Sequence, residues 1–441
     1  MNRRLRLRMP AQIGVALLVA VLLEPLAAQQ ASPEELWLKI TSTGAKRRLS
    51  LVIAPFTGPA APAALDSLRQ VFAADLRFSL YFTFQTPESG LAYNFSADPK
   101  KTDLAGWAST GAEVLICGDY AAKGAGASIE LRLYDLATER KIAAKAYSWK
   151  PDWRWLAHEM ADDVVKLLTG EDGISRTRIV FTRVLSSDTK ELAVVDHDGA
   201  NLRQVTNTGG VKLFPDWSGD GRRIAYSSYG KRSLNIYTCD PSGADRRTVC
   251  ENAGLNTTPA WSPDSKTIAA SLSFEGQSEI YVMNPDGSRL RRLTNQRGID
   301  ISPSWSPTGR QLAFVSDRTG APQVYVMNAD GTDSRRVTFE GSYNTSPAWS
   351  PRGDMIAFVQ RQPDGSNQVC VTNISGDSYM RLTSHGNNED PCWSPDGMHL
   401  AFSSNRAGGY EIYTMDWNGG SQTRLTRTAG STSPTWSPRL R

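Results

Sequence analysis

Pro259-Ala260-Trp261-Ser262 is one of six copies of the phrase Pro-x-Trp-Ser in the second half of this 441-residue chain. Successive tryptophans are separated by 44, 44, 44, 44 and 43 residues, at Trp217, Trp261, Trp305, Trp349, Trp393 and Trp436. Repeats of about 40–50 residues with Gly and Trp signatures are typical of β-propellers, in which each repeat forms one four-stranded blade. The spacing therefore predicts a propeller.

The repeats also predict how the ring closes. Five of them are complete, but Trp436 is followed by only Ser-Pro-Arg-Leu-Arg. The strands missing from this last repeat lie ahead of the first one, at Arg178–Thr182, Leu192–Val195 and Leu202–Thr206. We therefore expect six blades over residues 176–441, with the C-terminal strand completing the first blade. Such closure removes exposed sheet edges.

The residues ahead of the propeller alternate between strand and helix patterns. Strands are predicted at Leu49–Phe56, Leu80–Phe84, Glu113–Ile116, Ile129–Leu136 and Lys141–Trp149, and helices at Ala63–Leu76 and Trp153–Leu168. Interleaved helices and strands predict a small α/β domain over residues 29–170, followed by a linker at residues 171–175. The expected fold class is an α/β N-terminal domain plus an all-β six-bladed β-propeller.

The first 28 residues have the pattern of a secretory signal peptide. Four arginines within the first eight residues precede an apolar run of 11 residues, Ile13–Leu23, and the small residues Ala27 and Ala28 follow. A helix of that length rises only about 17 Å, well short of the ~30 Å hydrocarbon core of a membrane. We expect cleavage near Ala28 and export of the rest; an uncleaved anchor is the alternative.

Charge argues against nucleic acid as a partner. The chain has 49 Lys and Arg against 45 Asp and Glu, and four of the arginines lie in the signal peptide. The mature protein is thus nearly neutral, whereas a nucleic-acid binder needs a basic surface.

The five cysteines do not form a metal or redox motif. Because none of them belongs to a CxxC pair, a zinc site or a thioredoxin-like site lacks its ligand spacing. Cys239 and Cys250 are placed to meet across a hairpin, so a disulfide between them after export is an open alternative.

Motifs that carry catalytic chemistry are sparse. The chain has no Gly-x-Ser-x-Gly nucleophile elbow and no Gly-rich phosphate loop opening a helix. His158-Glu159 begins an HExxH-like pattern, but position 162 is Asp, which predicts packing on a helix surface. Asp196–Gly199 resembles a calcium loop without its later ligands and predicts a turn. We expect no catalytic residue, no metal and no cofactor. An exported propeller hydrolase or glycan-binding module is the alternative class.

Strand direction predicts which face of the propeller a ligand would use. The short Ser-Pro-Asp-Gly and Asn-Pro-Asp-Gly turns share one face, because strands alternate in direction. Longer and more varied connections share the other face, for example residues 340–346 and 384–390. Varied loops carry distinctive side chains, so we expect binding there.

Taken together, these features resemble the TolB family. The resemblance rests on the export signal, the α/β domain, the strand ending at Phe56, and the repeated Pro-x-Trp-Ser-Pro-Asp-Gly with Ile-Ala-Phe and Ile-Tyr-Val-Met runs. It covers nearly all of the mature chain. It implies a periplasmic component of the Tol–Pal system, with roles in outer-membrane integrity and in envelope constriction at division. It also implies binding of a Pal-like lipoprotein, and through it a peripheral position at the outer membrane.

The resemblance also implies binding residues. The family binds its lipoprotein just before the Pro-x-Trp-Ser phrase, which here points to Leu255, Asn256, Thr257, Thr258, Asp300, Ile301 and Ser302. Loop position adds Asn344, Thr345 and Glu389. A TolA-like inner-membrane protein would contact the N-terminal segment Glu35, Leu36, Trp37, Leu38, Lys39 and Ile40. Its alternating pattern suits a strand added to a partner's sheet; a strand in its own N-terminal sheet is the alternative.

Overall fold

The computed structural model describes residues 48–59, 62–86, 102–123, 126–229 and 233–440. In this part of the chain an α/β region precedes a six-bladed β-propeller, which confirms the predicted fold class. The predicted signal peptide and the segment Glu35–Ile40 lie outside the described residues.

The α/β region is one sheet with helices on both faces. Its elements are β1 (Leu49–Ile53), α1 (Ala64–Phe78), β2 (Phe82–Phe84), α2 (Leu104–Ala108), β3 (Val114–Lys123), β4 (Gly126–Asp135), β5 (Arg140–Ser148) and α3 (Trp153–Thr169). The strand order is β2-β1-β3-β4-β5, with β1 parallel to both of its neighbours and the other pairs antiparallel. The apolar faces of α1 and α3 cover one side of the sheet, and Trp107 of α2 covers the other.

Two features of this region differ from the sequence prediction. Helix α2 was not expected, and β3 continues seven residues past the predicted end at Ile116 because it pairs with β4 along its whole length. A glycine, Gly118, lies in the middle of β3. In the structure the Phe56 ring packs on this glycine, and a Cβ there would lie 2.6 Å from the ring. The glycine therefore serves packing and not a turn.

Each propeller blade is a four-stranded antiparallel sheet. Blade 1 consists of β6 (Arg178–Val184), β7 (Lys190–Asp196), β8 (Arg203–Gln204) and the last strand of the chain, β29 (Ser431–Trp436). The strands of blades 2 and 3 are β9 (Lys212–Trp217), β10 (Ile224–Tyr229), β11 (Leu234–Cys239), β12 (Arg247–Cys250), β13 (Asn256–Trp261), β14 (Ile268–Leu272), β15 (Glu279–Met283) and β16 (Arg291–Arg292). Those of blades 4, 5 and 6 are β17 (Asp300–Trp305), β18 (Gln311–Ser316), β19 (Gln323–Asn328), β20 (Arg335–Arg336), β21 (Asn344–Trp349), β22 (Met355–Arg361), β23 (Asn367–Asn373), β24 (Tyr379–Arg381), β25 (Asn388–Trp393), β26 (His399–Ser404), β27 (Glu411–Asp416) and β28 (Thr423–Arg424).

The Pro-x-Trp phrase forms the end of the innermost strand of every blade, where it joins neighbouring blades. The Trp305 indole donates a hydrogen bond to the Ala260 carbonyl of the preceding blade at 3.1 Å. Trp393 makes the same contact with Ala348 at 3.0 Å. The repeated tryptophan is thus a packing residue, which explains why its spacing marks the blades so regularly.

Blade 1 is closed by the two ends of the propeller, as predicted. Trp436 of β29 pairs with Ile179 of β6. The Trp436 indole donates to the Thr177 hydroxyl at 2.8 Å, and the Ser437 amide donates to the Arg178 carbonyl at 2.7 Å. The ring therefore has no unpaired inner edge at its join.

The disulfide alternative is not realised. Both cysteines are free and buried in blade 2, where the pairing of β11 with β12 sets Cys250 opposite Ile236 and not opposite Cys239. The register of this hairpin decides the outcome, because Thr238 lies opposite Arg247 and the two cysteines are therefore several residues out of step. Sequence spacing does not reveal this register.

Candidate functional site

The antiparallel blades give the propeller two distinct faces. One of them, which we call the loop face, carries the connections from second to third strands and from each fourth strand to the next blade. The turn face carries the other connections. Its turns are tightly organised: in one of them the Ser262 hydroxyl donates to Asp264 at 2.6 Å and accepts from the Thr267 amide at 3.0 Å.

The α/β region rests on the turn face. Phe78 at the end of α1 stacks on His399 of blade 6 at 3.9 Å between ring centroids, and its ring lies 6.3 Å from that of Trp436 in blade 1. The predicted linker, residues 171–175, is packed there too, because the Ser175 amide donates to Asp162 of α3 at 2.7 Å. Within the described ranges, the α/β region therefore covers the turn face and not the loop face.

Exposed apolar side chains are concentrated on the loop face. Among the described propeller residues, five large apolar side chains between 45% and 61% exposed lie on this face: Leu185, Tyr229, Leu255, Ile299 and Phe339. The turn face has Leu202 and Leu290, at 40% and 38%. Apolar groups that share one surface are typical of protein-binding sites.

The predicted binding residues divide into two groups. Leu255 is exposed, and partly exposed side chains surround it or lie near the axis: Thr257, Thr258, Ile301, Ser302, Thr345 and Glu389. In contrast, Asn256, Asp300 and Asn344 are at most 1% exposed. The structure thus places only the first group where a partner can touch it.

The buried group holds the loops in place. Asn256 donates through Nδ2 to the carbonyls of Leu234 and Asn252, at 2.9 and 2.7 Å. Asp300 pairs with Arg318 at 2.9 Å, and Asn344 donates to Gln323 at 2.8 Å. The sequence signal for these residues was their position before the Pro-x-Trp phrase. That position identifies the start of the inner strand but does not distinguish inward from outward side chains.

Next to each of these positions the inner strand contains a bulge with a left-handed backbone. One non-glycine residue in the inner strand of every blade has φ between +46° and +56°, namely Phe214, Thr258, Ser302, Ser346, Asp390 and Ser433. Such values are uncommon for bulky or β-branched residues. The bulge shifts the pairing register by one residue, so that side chains before and after it face different surroundings.

A cavity of about 440 Å³ runs along the propeller axis from these bulges toward the turn face. Two partly buried carboxyl groups line it. Burial raises the pKa of Asp216 to about 7, although the amide of Trp261 donates to it at 2.6 Å. Burial also raises the pKa of Asp390, against hydrogen bonds from Ser433 and Ser346. Both acids can therefore take up a proton more readily than an exposed aspartate.

Two minor sequence predictions have opposite outcomes. The Asp196–Gly199 segment forms a turn, as expected, with the Gly199 amide donating to the Asp196 carbonyl. The prediction that His158 packs on a helix surface is wrong, because the side chain is completely buried and lies 2.6 Å from Asp75. The helical pattern alone did not show that a second helix and the propeller cover this face of α3.

Helices in the described part of the chain are all too short or too polar to cross a membrane.

Comparison with known proteins identifies both regions of the chain. The family model described as the TolB beta propeller domain matches residues 165–440, and the TolB amino-terminal domain matches residues 36–142. The chain is 34% identical over 223 residues to the Tol-Pal system protein TolB of Roseobacter denitrificans, which is 49% of each chain. It is 39% identical over 212 residues to that of Geobacter sulfurreducens, covering 47% of this chain and 49% of the relative. The chain thus spans about half the length of the curated relatives it matches.

A solved structure is similar over a greater length. The crystal structure of TolB from Acinetobacter baumannii has a TM-score of 0.77 and 26% sequence identity, and the match covers 89% of this chain and 97% of that one. The similarity therefore extends over the α/β region as well as the propeller.

Proposed function

The chain belongs to the TolB family, and from this premise we propose that it is a periplasmic adaptor that binds proteins and catalyses no reaction. Its loop face would bind a Pal-like peptidoglycan-associated lipoprotein. The observation that carries this proposal is the concentration of exposed apolar side chains on the face that the α/β region leaves open. Binding to that lipoprotein would keep the protein peripheral to the outer membrane and support envelope integrity and constriction at division.

The exposed half of the predicted set would form the contact surface. Leu255 is 48% exposed and Ile299, in the next blade, is 46% exposed. Between them and the axis lie the partly exposed Thr257 and Ile301. A few well-packed residues usually supply most of the affinity of such a surface. Asn256, Asp300 and Asn344 would act indirectly, by holding the loops that present these residues.

A second partner would use the N-terminal segment. We propose that Glu35–Ile40 binds a TolA-like inner-membrane protein by adding a strand to its sheet, which the alternation of apolar and polar residues in this segment supports. An adaptor of this kind joins two proteins through separate surfaces and needs no catalytic group. Turnover of a peptide, ester or glycoside by the purified protein would instead favour the hydrolase alternative.

The loop-face proposal predicts a large effect from one substitution. Leu255→Arg introduces length and charge at the centre of the proposed contact surface, and its side chain is exposed enough for the fold to tolerate the change. We expect affinity for a Pal-like lipoprotein of the same organism, measured by calorimetry, to fall about tenfold or more.

Leu290→Arg is the matched control. Leu290 is the same residue type, 38% exposed, on the turn face. We expect this variant to bind like the unchanged protein. Equal losses in the two variants would mean that the loop face is not the binding surface, provided that both have the melting temperature of the unchanged protein.

A further inference from the structure

Three buried side chains meet where the α/β region rests on the propeller. Asp75 belongs to α1, His158 to α3, and His197 to the turn that follows β7. His158 Nδ1 is 2.6 Å from one carboxylate oxygen of Asp75, and His197 Nε2 is 3.1 Å from the other. All three side chains are at most 2% exposed. The carboxylate of Asp75 thus joins an imidazole of the α/β region to an imidazole of the propeller.

The distances favour hydrogen bonds over a bound metal ion. One carboxylate and two imidazoles with ligand atoms within 4.8 Å of one another are donors that a transition metal accepts. However, two ligands of a tetrahedral zinc ion, each about 2.0–2.1 Å from the metal, lie roughly 3.3 Å apart. The 2.6 Å between His158 and Asp75 is too short for that. It agrees with a charge-assisted N–H···O bond, about 2.7 Å long.

The hydrogen bonds fix how protons are distributed. An ionised carboxylate only accepts, so each imidazole donates one N–H to Asp75. The remaining ring nitrogens, His158 Nε2 and His197 Nδ1, have no hydrogen-bond partner among the residues that the structure describes. Two neutral imidazoles would leave the buried negative charge unbalanced, which is costly, whereas one imidazolium balances it.

We propose that the cluster of Asp75, His158 and His197 contains one imidazolium, one neutral imidazole and an ionised carboxylate. The extra proton of the imidazolium makes the joint between the α/β region and the propeller sensitive to pH. The proton balances the carboxylate and is lost or gained with the pH of the surroundings. The cluster contains side chains from both sides of the joint, so the charge of the cluster affects how the α/β region docks on the propeller.

The groups that face His197 place the positive charge on the propeller side. Burial opposes that charge, but the hydrogen bond and the charge of Asp75 outweigh it and raise the pKa of His197. Asp198 and Asp162 act in the same direction from a greater distance. Arg154 of α3 pairs with Asp198 and thereby ties the helix to the same turn.

Blade 6 contributes a neutral group. His399 faces the cluster from the far side of the Phe78 ring. Burial lowers the pKa of His399 and outweighs the opposite effect of Asp396 and Asp416, and the charge of His197 acts in the same direction as burial. The blade 6 imidazole therefore stays neutral when His197 is charged.

The pKa directions define the pH window in which the cluster stabilises the joint. Burial raises the pKa of Asp75, but the hydrogen bonds from the two imidazoles lower it below its ordinary value overall. The stabilisation is lost as pH falls through this lowered pKa. It is complete between the ordinary aspartate value of about 3.9 and the ordinary histidine value of about 6.5, and it is lost as pH rises through the raised pKa of His197. The joint is therefore expected to weaken in alkaline medium.

Titration of the histidine rings tests the proposal in the unchanged protein. Ring NMR spectra recorded between about pH 5 and pH 9 follow the four histidines of the chain, and His197→Gln assigns the His197 signal. We expect a His197 midpoint above the ordinary value of about 6.5, moving downward in Asp75→Asn because the balancing charge is gone. A midpoint at or below that value, or one unaffected by Asp75→Asn, would overturn the proposal.

Thermal unfolding measures the consequence for stability. The melting temperature of the unchanged protein is expected to fall between about pH 6.5 and pH 9 by more than that of His197→Gln. The exposed His385 provides the control variant His385→Gln, which should follow the unchanged protein. Equal pH dependence with and without His197 would contradict the proposal. Stoichiometric zinc in the purified protein, absent from His197→Gln, would also contradict it by showing a metal in place of the proton.

Discussion

Removing residues 431–441 is expected to abolish cooperative unfolding of the propeller. The deletion takes away β29, the inner strand of blade 1, and with it the buried Trp436 that packs against β6. Blade 1 would keep three strands with an exposed inner edge, and the contacts that join it to blade 6 would be lost. Thermal unfolding followed by circular dichroism should show no sharp transition.

A shorter deletion distinguishes the effect of opening the ring on unfolding from the effect of losing the end of the chain. Removal of residues 439–441 leaves β29 intact and removes the contact of Arg439 with Asp172, at 2.6 Å on the surface of the protein. That variant should unfold cooperatively at a moderately lower temperature. A sharp transition in the longer deletion at the temperature of the shorter one would show that β29 does not close the ring.

Asp75→Ala is expected to destabilise the protein by about 3–5 kcal/mol, because removing one member of a buried charged pair leaves the other without compensation. The carboxylate accepts hydrogen bonds from imidazoles on both sides of the joint, so its loss affects the α/β region and the propeller together. Denaturant unfolding near pH 6 measures the difference in the free energy of unfolding.

Asp66→Ala is the control in the same helix. Asp66 lies on the solvent side of α1, 64% exposed, and pairs with Arg69 one turn away. Exposed pairs of this kind contribute little to stability. If the two variants lose similar amounts of stability, the buried cluster does not hold the joint.

The sequence predicted most of the fold because the fold repeats. Six copies of a tryptophan that packs between blades gave the number of blades, and the strands ahead of Trp217 gave the closure of blade 1. Features without a repeat were predicted less well. The length of β3 depends on its pairing with β4, and the missing disulfide depends on the register in which β11 pairs with β12.

The residues of the candidate sites were also only partly predictable from the sequence. Sequence position identified the strand starts on the loop face but not which side chains point outward. Exposed Leu255 and buried Asn256 were therefore both predicted as binding residues. The Asp75–His158–His197 cluster joins residues that are 83 and 39 positions apart in the chain. Each looks ordinary in its own segment, and only the packing of the α/β region on the turn face brings them together.

Photo-crosslinking inside cells tests the binding of a lipoprotein on the loop face most directly. A photoreactive amino acid is placed at Leu255 on the loop face or at Leu290 on the turn face, and crosslinked products are identified by mass spectrometry. We predict that position 255 crosslinks to a peptidoglycan-associated lipoprotein and that position 290 does not. A crosslink to that lipoprotein from position 290 alone, or from neither position, would contradict binding on the loop face.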